Sequence, residues 1–213
     1  GVQVGGALLN EGVAAYQATI SPEDIGGRAD RGYLSHSLQV RAPIHPRGQV
    51  SLGVNWIQTH QKVEVFGLED TLAEATAGYG FALSDLLKSD QPVGEVTLGV
   101  EARRQVSVVD FDGIRVNTTA FNVYHVSLGY LLTRFNANAQ TEVEAMLRLS
   151  PGGLDPANSD ERFRAVAHDE DRSARYAYAM ISVFRILRFE DGRSLKLVGR
   201  GQVATDRLPR SEK

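Results

Sequence analysis

Val96 to Arg103 reads VTLGVEAR, and its alternation decides the fold. Val96, Leu98, Val100 and Ala102 fall on one side of an extended chain, and Thr97, Gly99, Glu101 and Arg103 on the other, because successive strand side chains point to opposite faces. A helix would scatter the same residues around its circumference. The period recurs along the chain: Leu52, Val54 and Trp56 oppose Ser51, Gly53 and Asn55, and Tyr124, Val126, Leu128 and Tyr130 oppose His125, Ser127 and Gly129. Val143, Ala145, Leu147 and Leu149 likewise oppose Glu142, Glu144 and Arg148. With their flanks these runs predict about ten strands, at roughly 1–9, 13–20, 32–43, 49–62, 73–83, 94–108, 117–133, 138–149, 173–188 and 193–206. Leu68 to Ala77 and Asp160 to Ala167 have the composition of short helices.

The connections are expected to alternate in length. Short hairpin signals stand at Asn10-Glu11-Gly12, at HPRG (His45 to Gly48), at Asn136-Ala137-Asn138 and at Glu190-Asp191-Gly192, all carrying Gly or Asn. Between them come longer charged links: SPEDIGGRAD, the stretch around FGLEDTL, VVDFDGIRV, and PGGLDPANSDERFRAVAHDED. SDLLKSDQPVG is longer than its place in the series wants. Short turns at one end of an up-and-down sheet and long loops at the other are the habit of an outer-membrane barrel. Strands of about 9 to 11 residues or more are long enough to cross the hydrocarbon when tilted.

Bulk properties narrow the field. The 213 residues carry 23 basic and 26 acidic side chains, a net charge of -3. Opposite charges are interspersed, so there is no basic footprint for nucleic acid. The absence of cysteine removes disulfides, thiol catalysis and thiolate metal sites, and suits an oxidising compartment. No window approaches 18 uninterrupted apolar residues, and GVQVGGALLN lacks the form of a signal peptide. With no initiating Met, the natural N-terminus is expected upstream.

A soluble β-sandwich also alternates, so the polar face must separate the two readings. Gly53, Gly78, Gly80, Gly99 and Gly129 punctuate that face, which a curved, tilted wall can use. Tyr16, Tyr33, Trp56, Phe121, Tyr130, Phe135, Tyr176 and Phe189 lie toward strand ends, as interfacial girdles would. A Lys or Arg facing lipid at mid-bilayer costs about 2 to 4 kcal/mol, so a barrel must turn its mid-strand charges inward. The expected lumen-lining residues are Glu101, Arg103, Glu142, Glu144, Arg148, Lys196, Arg200 and Gln202. Lumenal ion pairs that hold the wall account for the same residues equally well.

Catalytic motifs are missing. His36, His45, His60, His125 and His168 form no ligand spacing, and no nucleophile elbow or phosphate loop occurs. Asp110-Phe111-Asp112-Gly113 begins like a calcium loop without its later ligands and reads as a hairpin turn. Asp169-Glu170-Asp171 reads as a solvated loop, and Asn117-Thr118-Thr119 is a glycosylation triplet set in a strand. Neither an enzyme nor a cofactor or metal site is expected.

The stretches PGGLDPANSDERF, SARYAYAMISVFRILRF and GQVATDRLPRSEK, in that order, resemble the barrel of two-partner secretion translocators, the haemolysin secretion/activation family. The S-x-x-L-x-x-x-x-P form of Ser35 to Pro43, ahead of a tight turn with Gly48 and a strand like Ser51 to Trp56, is similar too. The resemblance covers essentially the whole chain, and it lies in the order of the motifs more than in any one of them. It implies a sixteen-stranded antiparallel up-and-down barrel in the bacterial outer membrane, preceded by periplasmic POTRA domains, that exports a large partner protein in extended form. This chain would supply the second to eleventh strands, making residues 1–213 a single partial barrel domain. The family usually has Gln where Lys213 stands, then a GG-x-x-x-VRGY segment on a lumenal loop, and this sequence stops before it. The expectation is therefore a monomeric outer-membrane transporter fragment whose partners are a secreted passenger and the surrounding lipid. A related assembly or translocation barrel, a simple porin and a soluble sandwich acting as a binding module are the alternatives.

Overall fold

The computed structural model describes residues 2–7, 12–21, 31–44, 48–88, 93–167, 171–206 and 208, without the side chains of 3, 5, 7 and 31. The SPEDIGGRAD link, the HPRG turn, the turn at 10–12, the acidic run at 169–171 and the last residues of the tail lie wholly or mainly outside this set.

Ten strands form one antiparallel sheet in strict chain order. They are β1 (Val2–Ala7), β2 (Val13–Ile20), β3 (Arg31–Ile44), β4 (Gly48–Val63), β5 (Phe66–Ala82), β6 (Glu95–Phe111), β7 (Ile114–Asn136), β8 (Ala139–Pro151), β9 (Arg175–Arg188) and β10 (Ser194–Ala204). Each pairs with the next, and β1 and β10 have a strand neighbour on one side only among the described residues, so the sheet is open. All the strands among the described residues belong to this one sheet, each beside its neighbour in sequence, which sets it apart from a sandwich of two sheets. No helix among the described residues is long and apolar enough to cross a membrane.

The expected alternation in connection length holds only in part: at the end expected to carry long links, β4–β5 and β6–β7 close in two-residue turns, and two of those links are strand instead of loop. Phe66 to Leu72 lies inside β5, and Val108 to Val116 is the tip of the β6–β7 hairpin. Leu68 to Ala77 is correspondingly extended, since pairing with both neighbours outweighs its helical composition. Only Asp112 and Gly113 turn the β6–β7 corner, with φ of 49° and 78°, the two positive values that a primed two-residue turn requires. The neighbouring β4–β5 tip is tied to it by Asp112 N–H donating to Val65 O at 2.7 Å and by an edge-on contact of Phe66 and Phe111, centroids 5.2 Å apart. SDLLKSDQPVG owes its length to a five-residue helix, α1 (Leu83–Leu87), which Lys88 ends in the left-handed region at φ 50°.

The long link between β8 and β9 is a folded clasp. Gly152 and Gly153 both have positive φ, 62° and 69°, and a Cβ on Gly152 would stand 2.9 Å from Arg175 N. Asp155 then accepts from Ala157 N at 2.7 Å and Asn158 N at 2.9 Å, starting a 3-10 turn at Pro156–Asn158. The fully buried Asn158 donates to Asn122 O at 2.9 Å and accepts from Leu154 N at 3.3 Å. Helix α2 (Asp160–Ala167) follows, as its composition predicts, and Asp160 accepts from Ala174 N at 2.8 Å. Because β8 pairs β7 only from Val126 onward, the edge of β7 above that point would otherwise be bare. The clasp covers it, with Arg162 donating to Ala120 O at 2.7 Å, which removes an edge open to wrong pairing.

Register sorts the side chains. Directly opposed residues share a face in an antiparallel pair, so the ladder Gly53↔Thr76↔Glu101↔His125 defines one face and Val54↔Ala75↔Ala102↔Tyr124 the other. On the second face, Leu38, Leu52, Val54, Leu98, Val100, Val126, Leu128, Leu149 and Ile181 are all more than two-fifths exposed. Val96 to Ala102 of β6 and Tyr124 to Leu132 of β7 present no charge there, a band of about 20 to 27 Å measured along the strands. Arg104 bounds it at the long-hairpin end, and Arg134 and Arg185 at the short-turn end.

Candidate functional site

The eight residues singled out by the sequence all lie on the polar face. Glu101 and Arg103 share it by the period of two, Arg148 joins through Ser127, Glu144 through Leu131 and Glu142 through Thr133. Lys196, Arg200 and Gln202 follow through Ile186, Ser182 and Met180. Gly53, Gly78, Gly80, Gly99 and Gly129 stand on it too. At three of them the room the missing side chain leaves is taken by a hydroxyl: a Cβ on Gly99 would lie 2.7 Å from Ser127 Oγ, one on Gly78 2.9 Å from Ser51 Oγ and one on Gly53 2.5 Å from Thr76 Oγ1.

Three of the eight meet in a network that crosses six strands. Glu101 sits at its centre, with Oε1 2.7 Å from Arg103 Nη2 and 3.6 Å from His125 Nδ1, and Oε2 3.5 Å from Arg148 Nη1. Arg103 reaches back to β5, its Nε donating to Glu74 Oε2 at 3.1 Å. Glu74 accepts from Asn55 Nδ2 of β4 at 3.1 Å. On the other side His125 Nε2 hydrogen-bonds Tyr176 Oη at 2.9 Å, and Arg148 Nη1 donates to Tyr178 Oη at 3.2 Å. The two acids balance the two arginines. Side-chain exposure falls from 24% at Arg148 to 1% at His125, so the pairs are partly shielded and worth more than surface pairs. Glu74 and Tyr178 are not among the residues the sequence singles out, and it marks Asn55 and His125 only by their face and Tyr176 only as a strand-end aromatic. Alternation puts each on its face, but only the register brings them together.

Tyr176, Tyr178, Val123 and Ala174 pack with Phe163 of α2 and with Leu208, and Phe121 lies against this cluster. It is the principal apolar core among the described residues, and it sits on the polar face beneath the clasp. Tyr176 and Phe121 are therefore core residues and not girdle residues, and Tyr33 also faces the polar side. Tyr16 and Trp56 do flank the apolar band, stacked through His36 with centroids 6.1 and 5.7 Å apart. Tyr79, Phe81 and Tyr130 bound its other edge.

Of the remaining five, Glu142, Glu144, Lys196 and Arg200 make no hydrogen bond or ion pair with the network among the described residues. Glu144, Arg200 and Gln202 line an open cleft with Met146, Met180 and Ser182. Lys196 sits over the Phe184 ring, 5.1 Å from its centroid, and Glu142 faces the same ring across the ladder. Lys196, Arg200 and Gln202 are exposed along β10. The polar face thus has a braced centre and an open flank.

The clasp carries its own carboxylates. Hydrogen bonds from the Tyr124 hydroxyl at 2.5 Å and Asn122 at 2.8 Å, then from the Ala157 and Asn158 amides, hold the Asp155 carboxyl below its usual range. The Ala174 amide and Ser173 hydroxyl do the same for Asp160. Among the described residues no three His, Cys, Asp or Glu side chains converge as a metal centre. Compared with family models, curated proteins and solved structures, the chain matches none.

Proposed function

We propose that these ten strands form part of the wall of an outer-membrane barrel, with the polar face toward a wet lumen, and that the barrel exports a large partner protein in the manner of two-partner secretion translocators. The observation that carries the reading is the division of the faces. A band of uncharged, exposed apolar side chains runs across the strands on one side, and all eight charged or polar candidates stand on the other. Only eight apolar residues are buried among the described ones, too few to hold a water-soluble sheet of this size. Lipid would cover the exposed band, whose length along the strands suits the apolar belt of about 25 Å in such barrels. The order of the motifs resembles that of the family, and PGG, NSD and the following Phe each hold part of the clasp.

The division of the polar face assigns roles within this reading. The Glu101 network braces β4 to β9, while Glu144, Lys196, Arg200 and Gln202, with Glu142 beside them, offer a passenger weak contacts of both signs. Sites that bind weakly release readily, which conduction requires.

The chain lacks cysteine, so a single introduced thiol reports one position. Ser127→Cys is expected to react with a membrane-impermeant maleimide admitted to the lumen, and Val126→Cys only with a reagent dissolved in lipid. The reverse labelling would overturn the barrel. Cross-links from positions 144 and 202 to a passenger during export, absent from position 126, would support the transport role. Cross-links to small solutes alone would move the function to a porin.

A further inference from the structure

Across β4 to β7, just where the apolar band ends, one row of the lipid-side face reads Trp56↔Ala73↔Arg104↔Asn122. The next row toward mid-band reads Val54↔Ala75↔Ala102↔Tyr124. Three alanines between two large aromatics leave a recess of about 430 Å³ whose lining includes Trp56, Ala75, Ala102, Arg104 and Tyr124, with Glu74 and Arg103 of the polar-face positions also bordering it. Two polar groups at its head lack partners among the described residues. Arg104 makes no hydrogen bond or ion pair, although Arg103 beside it makes several. Asn122 Oδ1 is buried with nothing donating to it, a costly state that asks for a donor. Asp155, the nearby acid, accepts from Tyr124, Asn122, Ala157 and Asn158 and makes no ion pair with Arg104 among the described residues.

We infer that this recess is a binding site for a phosphate-bearing glycolipid of the surrounding leaflet. Arg104 would hold the phosphate, Asn122 Oδ1 would accept from a sugar hydroxyl or amide, and an acyl chain would lie over Ala73, Ala75 and Ala102 between Trp56 and Tyr124. A guanidinium without a partner, set beside aromatics at an apolar boundary, matches a headgroup that joins a phosphate to a sugar face. The inference rests on the apolar face meeting lipid, as proposed above.

Trp56 is the sole tryptophan, so its fluorescence reads the site directly. The full chain is reconstituted in phosphatidylcholine vesicles, alone or with a small fraction of lipid A, dephosphorylated lipid A or phosphatidylglycerol. A blue-shifted Trp56 emission in phosphatidylcholine alone, quenched by brominated acyl chains, is expected if the face meets lipid. Its absence would overturn the barrel reading itself. Lipid A should produce a further saturable change that Arg104→Gln weakens about tenfold, the scale of one charge-assisted contact. Val106→Gln, on the same strand outside the recess, should leave the change intact. A normal blue shift with no response to lipid A, or an equal response to dephosphorylated lipid A, would overturn the glycolipid site and leave the barrel standing. An equal response to phosphatidylglycerol would also overturn it, because the site would then read phosphate charge without the sugar.

Discussion

Replacing Glu101 by Gln removes one charge at the centre of the polar network and changes little else, since the amide keeps the size and shape of the acid. The cost can be worked from the contacts. Glu101 has Arg103 at 2.7 Å and Arg148 at 3.5 Å, with side-chain exposures of 11%, 13% and 24% for the three residues. Breaking a buried pair costs about 3 to 5 kcal/mol and an exposed one about 0 to 1. Arg103 keeps Glu74 at 3.1 Å and Arg148 keeps the Tyr178 hydroxyl, so neither cation is stranded. The expected loss is about 2 to 3 kcal/mol, below the fully buried limit because the face is wet and partners remain. Urea unfolding of the vesicle-reconstituted protein, followed by Trp56 emission and by heat-dependent mobility on a gel, measures it. Glu142→Gln is the control, because Glu142 lies on the same face outside the network, and should change stability by less than about 0.5 kcal/mol. A double-mutant cycle of Glu101→Gln with Arg148→Gln should show coupling above about 0.5 kcal/mol. If Glu101→Gln and Glu142→Gln cost the same, or the cycle is additive, the network does not brace the wall.

Other perturbations test other parts. Leu128→Arg, on the apolar face in mid-band, should destabilise the reconstituted protein by about 2 to 4 kcal/mol, whereas Ser127→Arg next to it should cost far less; equal costs from urea titration would contradict the facing. Gly152→Ala should cost about 1 to 3 kcal/mol, since the residue stands at φ 62° and the new methyl meets Arg175 N at 2.9 Å. Unfolding of Gly153→Ala, where nothing lies within 4 Å of the new methyl, isolates the backbone share of that loss. Asp155 and Asp160 are held below the ordinary carboxylate value of about 3.9. Their contribution is therefore fully present above that value and is lost as pH falls through the lower folded-state values. Pepsin cleavage within residues 152–167, normalised to an unstructured peptide, should stay low at pH 5 and rise below about pH 4. Unchanged cleavage from pH 5 down to pH 2 would show that the carboxylates do not hold the clasp.

The strands were legible because alternation is a local property. Glu101 and Arg103 can be put on one face from eight residues of sequence, and the ten expected runs match the ten strands to within a few residues in most cases. The end that carries the hairpin tips was harder. FGLEDTL and VVDFDGIRV hold charges and glycines that read as loop, yet they pair because neighbours on both sides supply the ladder, and that is a long-range fact. For the same reason His125 could be assigned a face but not a partner: Glu101 and Tyr176 are brought to it by register, over separations that no local pattern encodes. Tyr176 and Phe121 misled by position, since an aromatic near a strand end is a girdle residue on one face and a core residue on the other. The clasp was visible only as a motif, and its turn geometry and hydrogen bonds explain what Gly152, Asp155, Asn158 and Asp160 each do there.

The paired hairpin tips carry one further consequence. Strands β4 to β7 stay paired to the corners, where Asp112 ties to Val65, and the β6–β7 ladder takes up one extra residue in a bulge beside Val109 and Asp110. Any change in the reach of these hairpins must preserve the facing of every residue beyond it, and one added residue would turn each following side chain to the opposite side. Length can therefore drift in matched steps, two residues in one strand answered by two in its neighbour, or by a single residue that a bulge takes up as beside Val109 and Asp110, and the pair of tips must lengthen together or lose its tie. Natural variants of this blade should therefore change height in paired steps or gain a bulge, where an unpaired loop would tolerate insertions of any size.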